Sequence, residues 1–454
     1  MLEDTITAIA TPLGEGGLAV IRISGPRALA VAEASFRPIG KSSLPPSAAP
    51  THTVHFGRIV RRGQAVDEVM LSVLRAPRSF TREDVVEISC HGGLLPARLV
   101  LETLLENGAR LAAPGEFTRR AFLNGRIDLA QAEAVADLIH SRTELALAAA
   151  HEQLAGKLSR RINLLRDDLM KILAHIEAHI DFPDEDIAPD TREKLIGRLR
   201  AAMAFMDELL RTANEGQILR RGIRAAIVGR PNAGKSSLLN QLLGRDRAIV
   251  SAVPGTTRDT IEETANIRGL PVLFIDTAGL REASNEIEEE GIRRSRQSLA
   301  AAELILHVLD GSEPLRPTDE AYLAEFAGKP RILVRNKADL PRLLELPATA
   351  GVVDVCCLTG QGVEELKDAI KERVWAGEIR AEMLQVMINA RHQDALRRAR
   401  AATERTAEAL SINLSLELAA LDLRIAANAV GEIVGKTSTE DLLDSIFSQF
   451  CIGK

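Results

Sequence analysis

Short apolar runs with the length of buried strands recur through the middle of the chain. Ala225–Val228, Val272–Ile275 and Ile332–Val334 are such runs. Leu238–Leu243 lies between the first two, has the apolar density typical of a helix and is followed by a glycine, a common helix end. This alternation of strands and helices predicts a doubly wound parallel α/β sheet over residues 217–379.

The first part of the chain, residues 1–118, has a different pattern that predicts an α+β domain. Leu18–Ile23 and Val85–Cys90 are typical of strands, and a further two strands, Thr53–Ile59 and Ala65–Leu74, are separated by a turn and predict a hairpin. A predicted amphipathic helix over residues 94–107 follows the strand that ends at Cys90.

The segments on either side of the predicted sheet, residues 119–216 and 380–454, are rich in Ala and Leu at helical spacing. We interpret them as one discontinuous helical bundle domain that is interrupted by the α/β domain. The predicted helices span residues 128–154, 157–180, 382–410, 414–434 and 440–450.

The loop after the first apolar run carries a phosphate-binding motif. Residues 229–236 match G-x-x-x-x-G-K-S between a predicted strand and a predicted helix, where backbone amides and the helix N-terminus bind phosphate oxygens. Lys235 is expected to reach the β- and γ-phosphates, and the Ser236 hydroxyl is expected to bind Mg²⁺.

Further motifs at sensible spacing identify the nucleotide as GTP. A D-T-A-G segment at 276–279 ends a predicted strand, where a carboxylate can hold Mg²⁺ through water. The N-K-A-D segment at 336–339 predicts a guanine reader, because the Asp339 carboxylate can accept from N1–H and the 2-amino group. Thr257 is predicted to complete the Mg²⁺ shell. The nucleotide-binding residues predicted from these motifs are Asn232, Ala233, Gly234, Lys235, Ser236, Ser237, Thr256, Thr257, Asp276, Thr277, Ala278, Gly279, Asn336, Lys337, Ala338 and Asp339.

Length and composition narrow the class of protein. The chain of 454 residues is too long for one core, so two or three domains are expected. Its 57 basic and 63 acidic residues give a formal net charge of −6, so any RNA contact must be local or shared with a partner. The cysteines form no C-x-x-C pair, which argues against a metal cage or a disulfide framework. With no basic leader and no long uncharged run, a cytosolic location is expected.

Short segments outside the GTPase motifs form a set that is typical of one protein family, and the terminal C-I-G-K is the most specific of them. These segments are Asp4–Ile6, Ala10–Pro12, Gly16–Gly17, Arg22–Gly25, Ser79–Thr81, Glu83–Asp84, His91–Gly93, Pro114–Thr118, Ala121–Gly125 and Phe450–Lys454. Through these segments the chain resembles the MnmE family of tRNA modification GTPases, also called TrmE, over essentially its full length.

The resemblance implies a three-part protein with a folate-binding N-terminal domain, a helical domain and an inserted Ras-like GTPase domain. It implies a homodimer formed through the N-terminal domains and a heterotetramer with the FAD protein MnmG. It further implies that the two proteins together add an aminomethyl or carboxymethylaminomethyl group to C5 of the wobble uridine, position 34, in certain tRNAs. A tetrahydrofolate, in the 5,10-methylene or 5-formyl form, would supply the one-carbon unit.

The family's functional residues carry over to positions of this sequence. They imply a folate site of Arg22, Glu87, Arg126 and Lys454; a K⁺ site of Asn232, Ser251, Val253 and Thr256; further GTP contacts at Ser251, Ala252, Val253, Pro254, Gly255, Cys356, Cys357 and Leu358; and catalytic roles for Glu288 and Cys451. Alternatives stay open from the residues alone. Arg22 and Arg126 can form ordinary surface pairs, Glu288 can be solvated within an acidic run, and Cys451 can be a buried apolar filler.

Several positions depart from expected patterns. Cys356-Cys357-Leu358 stands where the usual GTPase motif is S-A-x, and these cysteines are more often small apolar fillers than reactive thiols. Leu280 stands where Ras-like proteins have a water-orienting glutamine, so another group must position the nucleophile. The competing functions are a regulatory GTPase switch of the ribosome-assembly type and a folate-binding module whose GTPase controls assembly.

Overall fold

The computed structural model describes residues 4–40, 44–181, 189–244, 263–275, 300–346, 351–375, 387–412 and 414–454. The chain divides into two compact units. The first comprises Met1–Ala136, Ser159–Arg200 and Ala401–Lys454, and the second comprises Asp137–Leu158 and Ala201–Arg400. This division by compactness groups the helices differently from the predicted three-domain division, which remains a prediction.

The described residues form the following elements in chain order. The strands are β1 Ile6–Ile9, β2 Leu18–Ser24, β3 Phe36–Pro38, β4 Thr53–Arg61, β5 Gln64–Leu74, β6 Val85–His91, β7 Arg110–Leu111, β8 Ile223–Val228, β9 Glu263–Ile267, β10 Leu270–Phe274, β11 Leu304–Asp310, β12 Arg331–Asn336 and β13 Val352–Asp354. The helices are α1 Ala28–Ser35, α2 Leu94–Glu106, α3 Glu116–Leu123, α4 Leu129–His140, α5 Glu144–Leu154, α6 Lys157–Asp181, α7 Pro189–Arg211, α8 Ala213–Arg221, α9 Lys235–Leu243, α10 Pro317–Glu325, α11 Val363–Val374, α12 Ala390–Ser411, α13 Leu416–Val434 and α14 Glu440–Phe447.

In the first unit, seven of the described strands form one sheet in the order β3-β4-β5-β6-β2-β1-β7. Neighbouring strands are antiparallel except for β1 and β7, and the predicted hairpin is confirmed as β4 and β5. One face of the sheet packs against α1 and α2, because alternate residues of the strands are apolar and buried. Ile21, Ile23, Leu71 and Ile88 belong to this core.

The register of β2 and β6 brings two charged side chains together on the other face of that sheet. Arg22 lies opposite Glu87, while their neighbours Ile21 and Ile88 are paired and fully buried. Successive side chains of a strand point to opposite faces, so the alternating pattern places the charged pair away from the core.

Two of the predicted helices differ from the structure. The predicted helix 128–154 is two helices, α4 and α5, because the Thr143 hydroxyl accepts a hydrogen bond from the Ala146 amide at 3.2 Å and starts a new helix. The predicted helix 382–410 begins later, at Ala390, where the Asn389 side chain accepts from the His392 amide at 2.8 Å. Residues 382–386 lie outside the described residues.

The second unit contains the predicted doubly wound sheet. Its described strands are ordered β13-β12-β11-β8-β10-β9, all parallel except β9. Ala225 and Ile227 pack on one face with α9 and α11, whereas Ala226 and Val228 pack on the other face near Phe326, which follows α10. Because both faces of the sheet are covered, its strands are continuous apolar runs, as the sequence indicated.

Candidate functional site

The phosphate-binding motif forms the turn between β8 and α9. Gly234 is the N-cap of α9 with φ of +97°, and a Cβ atom there would lie 2.1 Å from Nδ2 of Asn336. Asn232 in the same turn also has a positive φ, of +64°. The close approach explains why glycine is required at this position. The turn leads directly into the N-terminus of α9, and helix N-termini favour bound anions.

Lys235 lies over the same turn. Its Nζ donates to the main-chain oxygens of Gly229 and Arg230, both at 2.9 Å. Burial lowers the pKa of Lys235. The ammonium group is therefore held beside the phosphate-binding turn, where the sequence placed it.

Asn336 links the phosphate-binding turn to the predicted guanine loop. Its Nδ2 donates to the Ala233 oxygen at 2.9 Å, and its Oδ1 accepts from the Cys357 amide at 3.1 Å. The residue is buried at the end of β12, and Asp339 lies beyond it with an exposed side chain. The motifs that the sequence separates by about a hundred residues thus meet at one edge of the sheet.

The two adjacent cysteines have different environments. Cys357 belongs to the apolar core, and burial raises the pKa of its thiol to about 11. Cys356 is also buried, but its thiol donates to Oδ1 of Asp339 at 3.1 Å. The interpretation as a small apolar filler therefore fits Cys357, whereas Cys356 contacts the predicted guanine reader. Leu358 is 85% exposed.

The rest of the predicted nucleotide and metal site lies outside the described residues. These predictions concern Ser251, Ala252, Val253, Pro254, Gly255, Thr256, Thr257, Asp276, Thr277, Ala278, Gly279 and Glu288.

The predicted folate residues of the first unit lie close to one another around aromatic rings. Nε of Arg22 donates to Oε1 of Glu87 at 2.8 Å, and the two side chains are 17% and 28% exposed. The Arg22 guanidinium carbon lies 5.8 Å from the centre of the Phe80 ring and 5.7 Å from that of Phe117. The Arg126 guanidinium carbon lies 5.0 Å from the centre of the Phe80 ring. The result is a half-exposed surface of two cations, one carboxylate and a flat ring.

The C-terminal tail packs against the same region. The Phe117 amide donates to the Lys454 oxygen at 3.2 Å, and the Gly115 amide donates to the Cys451 oxygen at 3.4 Å. Gly453 has φ of +92°, and a Cβ atom there would lie 2.5 Å from the Ile9 oxygen. The Cys451 side chain is nevertheless exposed, so the alternative that it is a buried filler is wrong. Its predicted chemical role stays a prediction.

Arg120 is a residue that sequence reasoning missed. It is fully buried and its guanidinium pairs with Asp4 at 2.7 Å, Glu116 at 3.1 Å and Glu83 at 3.2 Å. Because Glu83 also accepts from Ser24 at 2.6 Å, these ion pairs fix the loop that carries Phe80. The helical spacing of α3 could have indicated its burial, because Arg120 occupies a position on the same face as the buried residues Phe117 and Ala121.

Comparison with known proteins agrees with this arrangement. Residues 5–126 match the family described as GTP-binding protein TrmE N-terminus, and residues 129–451 match the MnmE helical domain. A protein of Geobacillus thermodenitrificans named tRNA modification GTPase MnmE is 47% identical over 99% of both chains. One of the same name from Chloroflexus aurantiacus is 48% identical over 100% of both. The chain belongs to the MnmE family of tRNA modification GTPases.

Solved structures that resemble the chain cover only part of it. The G domain of the T. maritima FeoB iron transporter is 27% identical over 33% of this chain and 98% of that one, with a TM-score of 0.24. The Methanococcus jannaschii FeoB G-domain is 24% identical over 34% and 97%, with the same TM-score. For this MnmE-family chain the α/β assignment rests on the strand order itself. No helix among the described residues is both long and apolar enough to cross a membrane.

Proposed function

We propose that this protein is a K⁺-activated, Mg²⁺-dependent GTPase that acts with MnmG to modify C5 of the wobble uridine in certain tRNAs. The group added is of the aminomethyl or carboxymethylaminomethyl type, and its one-carbon unit comes from a tetrahydrofolate. The observation that carries the proposal is the presence of two separate built sites in one chain, a nucleotide site around Asn336 and an aromatic, charged surface around Phe80.

The described residues of the nucleotide site fit GTP. The glycine-lined turn and the α9 N-terminus suit phosphates, Lys235 supplies a positive charge, and Asp339 supplies a carboxylate for the guanine edge. Ser236 at the start of α9 suits Mg²⁺, and Asn232 offers an amide oxygen for K⁺ beside the phosphates. A cation at that place would neutralise charge that develops during hydrolysis.

The surface around Phe80 fits a pterin and its carboxylate-bearing tail. Glu87 can accept from two pterin N–H groups, while Arg22, Arg126 and Lys454 supply charges for carboxylates. A flat pterin ring could stack on an aromatic side chain, and Phe80 is a partly exposed ring of this surface. The exposed Cys451 thiol belongs to the tail that packs against this region and is assigned a part in modification, whereas Glu288 is assigned the orientation of water for hydrolysis.

The decisive experiment measures the modified nucleoside in tRNA. Purified protein is combined with MnmG, GTP, a tetrahydrofolate donor and unmodified tRNA in K⁺ buffer, and the tRNA is digested and analysed by mass spectrometry. We expect the C5-modified wobble uridine only when all components are present, and no product with Lys235→Ala. GTP hydrolysis with no modified nucleoside in the mixture, together with a modified nucleoside that persists in tRNA from cells that lack the protein, would instead support the regulatory switch.

A further inference from the structure

Six charged side chains form a cluster between the phosphate-binding turn and the N-K-A-D segment. The guanidinium of Arg230, a residue of the turn, faces three carboxylates. Its Nη1 lies 2.5 Å from Glu313, its Nη2 lies 3.6 Å from Asp310 and its Nε lies 3.6 Å from Asp319. Lys337 of the N-K-A-D segment contacts Asp310 at 2.5 Å. We call this group, completed by Arg316 at 2.8 Å from Glu313, the Asp310 cluster.

The centre of the Asp310 cluster is buried, whereas Lys337, Glu313 and Arg316 at its rim are 35%, 37% and 56% exposed. The side chains of Arg230, Asp310 and Asp319 are 10%, 4% and 3% exposed. A buried charge is tolerated only when it is paired, and here three cations balance three carboxylates. Although burial raises the pKa of Asp310, hydrogen bonds from Lys337 and Ser312 hold it below its ordinary value, so the carboxylate stays ionised at neutral pH.

Asp310 occupies the central position of this cluster because of the strand order. It is the last residue of β11, which lies between β8 and β12. The phosphate-binding turn follows β8 and the guanine motif follows β12. A side chain at this end of β11 is therefore placed between the two segments that are predicted to hold the two ends of GTP.

The two oxygens of Asp310 have separate partners. Oδ1 accepts from the Ser312 amide at 3.0 Å and from its hydroxyl at 2.6 Å, which fixes the plane of the carboxylate. Oδ2 then faces both Lys337 at 2.5 Å and Arg230 at 3.6 Å. One oxygen thus contacts a cation from each nucleotide-binding segment, in addition to the neutral link that Asn336 provides.

We propose that Asp310 is a positioning residue that couples phosphate binding to guanine recognition through Arg230 and Lys337. The inference rests on GTP binding at the proposed site and adds a charged link outside the recognised GTPase motifs. With the link intact, ordering of the phosphate-binding turn around a nucleotide also orders Lys337, two residues before the guanine reader Asp339. Without it, each segment orders separately and the nucleotide leaves faster.

If Asp310 only balanced charge, removing its charge would change nucleotide affinity in the opposite direction. Removal of the Asp310 charge leaves the cluster with one excess positive charge beside the triphosphate. If neutralisation were the only role of Asp310, that excess would strengthen nucleotide binding. The direction of the change in affinity therefore separates positioning from simple electrostatics.

The test uses the full-length protein and the variant Asp310→Asn. Dissociation of a fluorescent GDP analogue is followed by stopped flow, and KM and kcat are measured for GTP hydrolysis. We expect dissociation about 10-fold faster and KM raised in parallel, within the usual range for coupled sites, with kcat within about two-fold. The matched control is Asp368→Asn, which removes a carboxylate paired with Arg268 at 2.6 Å at the β9–β10 turn and should leave dissociation unchanged.

A double-mutant cycle completes the experiment and does not depend on the folding of Asp310→Asn. Arg230→Met and Lys337→Met are combined, and their effects on dissociation are expected to be clearly non-additive, because both act through one carboxylate. Additive effects, tighter binding by Asp310→Asn, or equal changes in Asp368→Asn would overturn the inference. Wild-type protein that binds the GDP analogue but fails to hydrolyse GTP would refute the proposed function instead.

Discussion

At the scale of single residues, Cys356 departs from the usual motif and yet contacts the predicted guanine reader. The usual S-A-x motif offers a hydroxyl, and here a thiol donates to Asp339. Thiols are weaker donors than hydroxyls, but a carboxylate acceptor strengthens the bond. The Asp339 carboxylate therefore has a hydrogen-bond donor in a residue that sequence alone suggested to be an apolar filler.

Substitution of Cys356 tests this contact. Cys356→Ala removes the donor and should weaken GTP binding by roughly 3- to 10-fold, equivalent to about one hydrogen bond, whereas Cys356→Ser should retain affinity. The measurement is isothermal titration with GTP and GDP. Cys357→Ala is the matched control, because Cys357 lies in the core and its loss should lower stability more than affinity. Equal affinity of Cys356→Ala and the wild type would show that the contact does not contribute to nucleotide binding.

His307 is a second residue whose effect, here on the pH dependence of stability, was not indicated by the sequence. It is fully buried in β11, and neither ring nitrogen has a hydrogen-bond partner among the described residues. Burial, aided by Arg331 and opposed by Asp319, lowers its pKa from 6.5 to about 4. The unfolded chain therefore binds a proton more readily than the folded one, and stability falls as pH drops from about 6.5 toward 4.

The expected loss of stability for His307 is about 2 kcal/mol between pH 7 and pH 5. Native-state hydrogen exchange of the β11 amides, measured at both pH values, reports the stability of this sheet without requiring the whole chain to unfold in one step. His307→Leu should remove most of the pH dependence in that range. His175→Leu is the control at a partly exposed histidine. Identical pH profiles for His307→Leu and wild type would contradict the assignment.

Contiguous motifs were predictable at this scale, whereas long-range pairs were not. The segments 229–236 and 336–339 carry their chemistry in adjacent residues, and the structure brings both to the end of the sheet that the strand pattern indicates. The contacts of Cys356 with Asp339 and of Arg230 with Asp310 join residues far apart in the chain. Such pairs depend on strand order and on side-chain packing, which periodicity does not encode.

At the scale of elements, the apolar pattern predicted part of each sheet. It indicated β2, β4, β5 and β6 in the first sheet and β8, β10 and β12 in the second, because buried parallel strands are apolar throughout and half-buried strands alternate. The prediction did not include β1, β3, β7, β9, β11 or β13. The break between α4 and α5 was missed because the apolar spacing continues through Thr143, and only the hydroxyl that caps α5 shows that a new helix begins. A polar cap can thus override a continuous helical pattern.

The C-terminal tail gives the element-scale prediction. Cys451→Ser should leave K⁺-stimulated GTP hydrolysis near normal and abolish the wobble-uridine product in the presence of MnmG. The reason is that the exposed thiol belongs to a tail ordered against α3, in a different compact unit from the nucleotide site. The measurement is the pair of assays, hydrolysis and nucleoside analysis, on one preparation.

Gly453→Ala is the companion variant for the tail. Its Cβ would lie 2.5 Å from the Ile9 oxygen at a φ of +92°, so the tail must shift while the thiol remains. We expect it to reduce modification as Cys451→Ser does, with hydrolysis unchanged. Full modification by Cys451→Ser would remove the chemical role of the thiol, and full modification by Gly453→Ala would show that order in the tail is not required.

At the scale of the whole molecule, the chain combines two candidate sites that its amino-acid composition does not indicate. A net charge of −6 gives no general attraction for tRNA, so contacts with tRNA are expected to use local surfaces or a partner protein. The broad class, a multidomain protein with one GTPase sheet, followed from length and periodicity. The function was predicted from the GTPase motifs and from the family resemblance, which also named Arg22, Glu87 and Arg126 as folate residues. The structure adds that the β2–β6 register pairs Arg22 with Glu87 and that both arginines lie beside the Phe80 ring.

K⁺ dependence is the prediction that involves the GTPase cycle as a whole. Turnover should be at least about 10-fold faster in KCl than in NaCl at equal ionic strength, because a cation of the right size beside the phosphates stabilises the transition state as an arginine finger does. Asn232, held at a positive φ in the phosphate-binding turn, is the described residue expected to bind this ion. Asn232→Ala should therefore lower turnover in KCl to the NaCl level while GDP affinity changes little. Gln241→Ala, on the α9 face that contacts the Cys357 oxygen, is the control for general damage to the turn and should keep the K⁺ response. Equal wild-type rates in the two salts would contradict the predicted K⁺ site. A K⁺ response that survives in Asn232→Ala would show that other residues bind the ion.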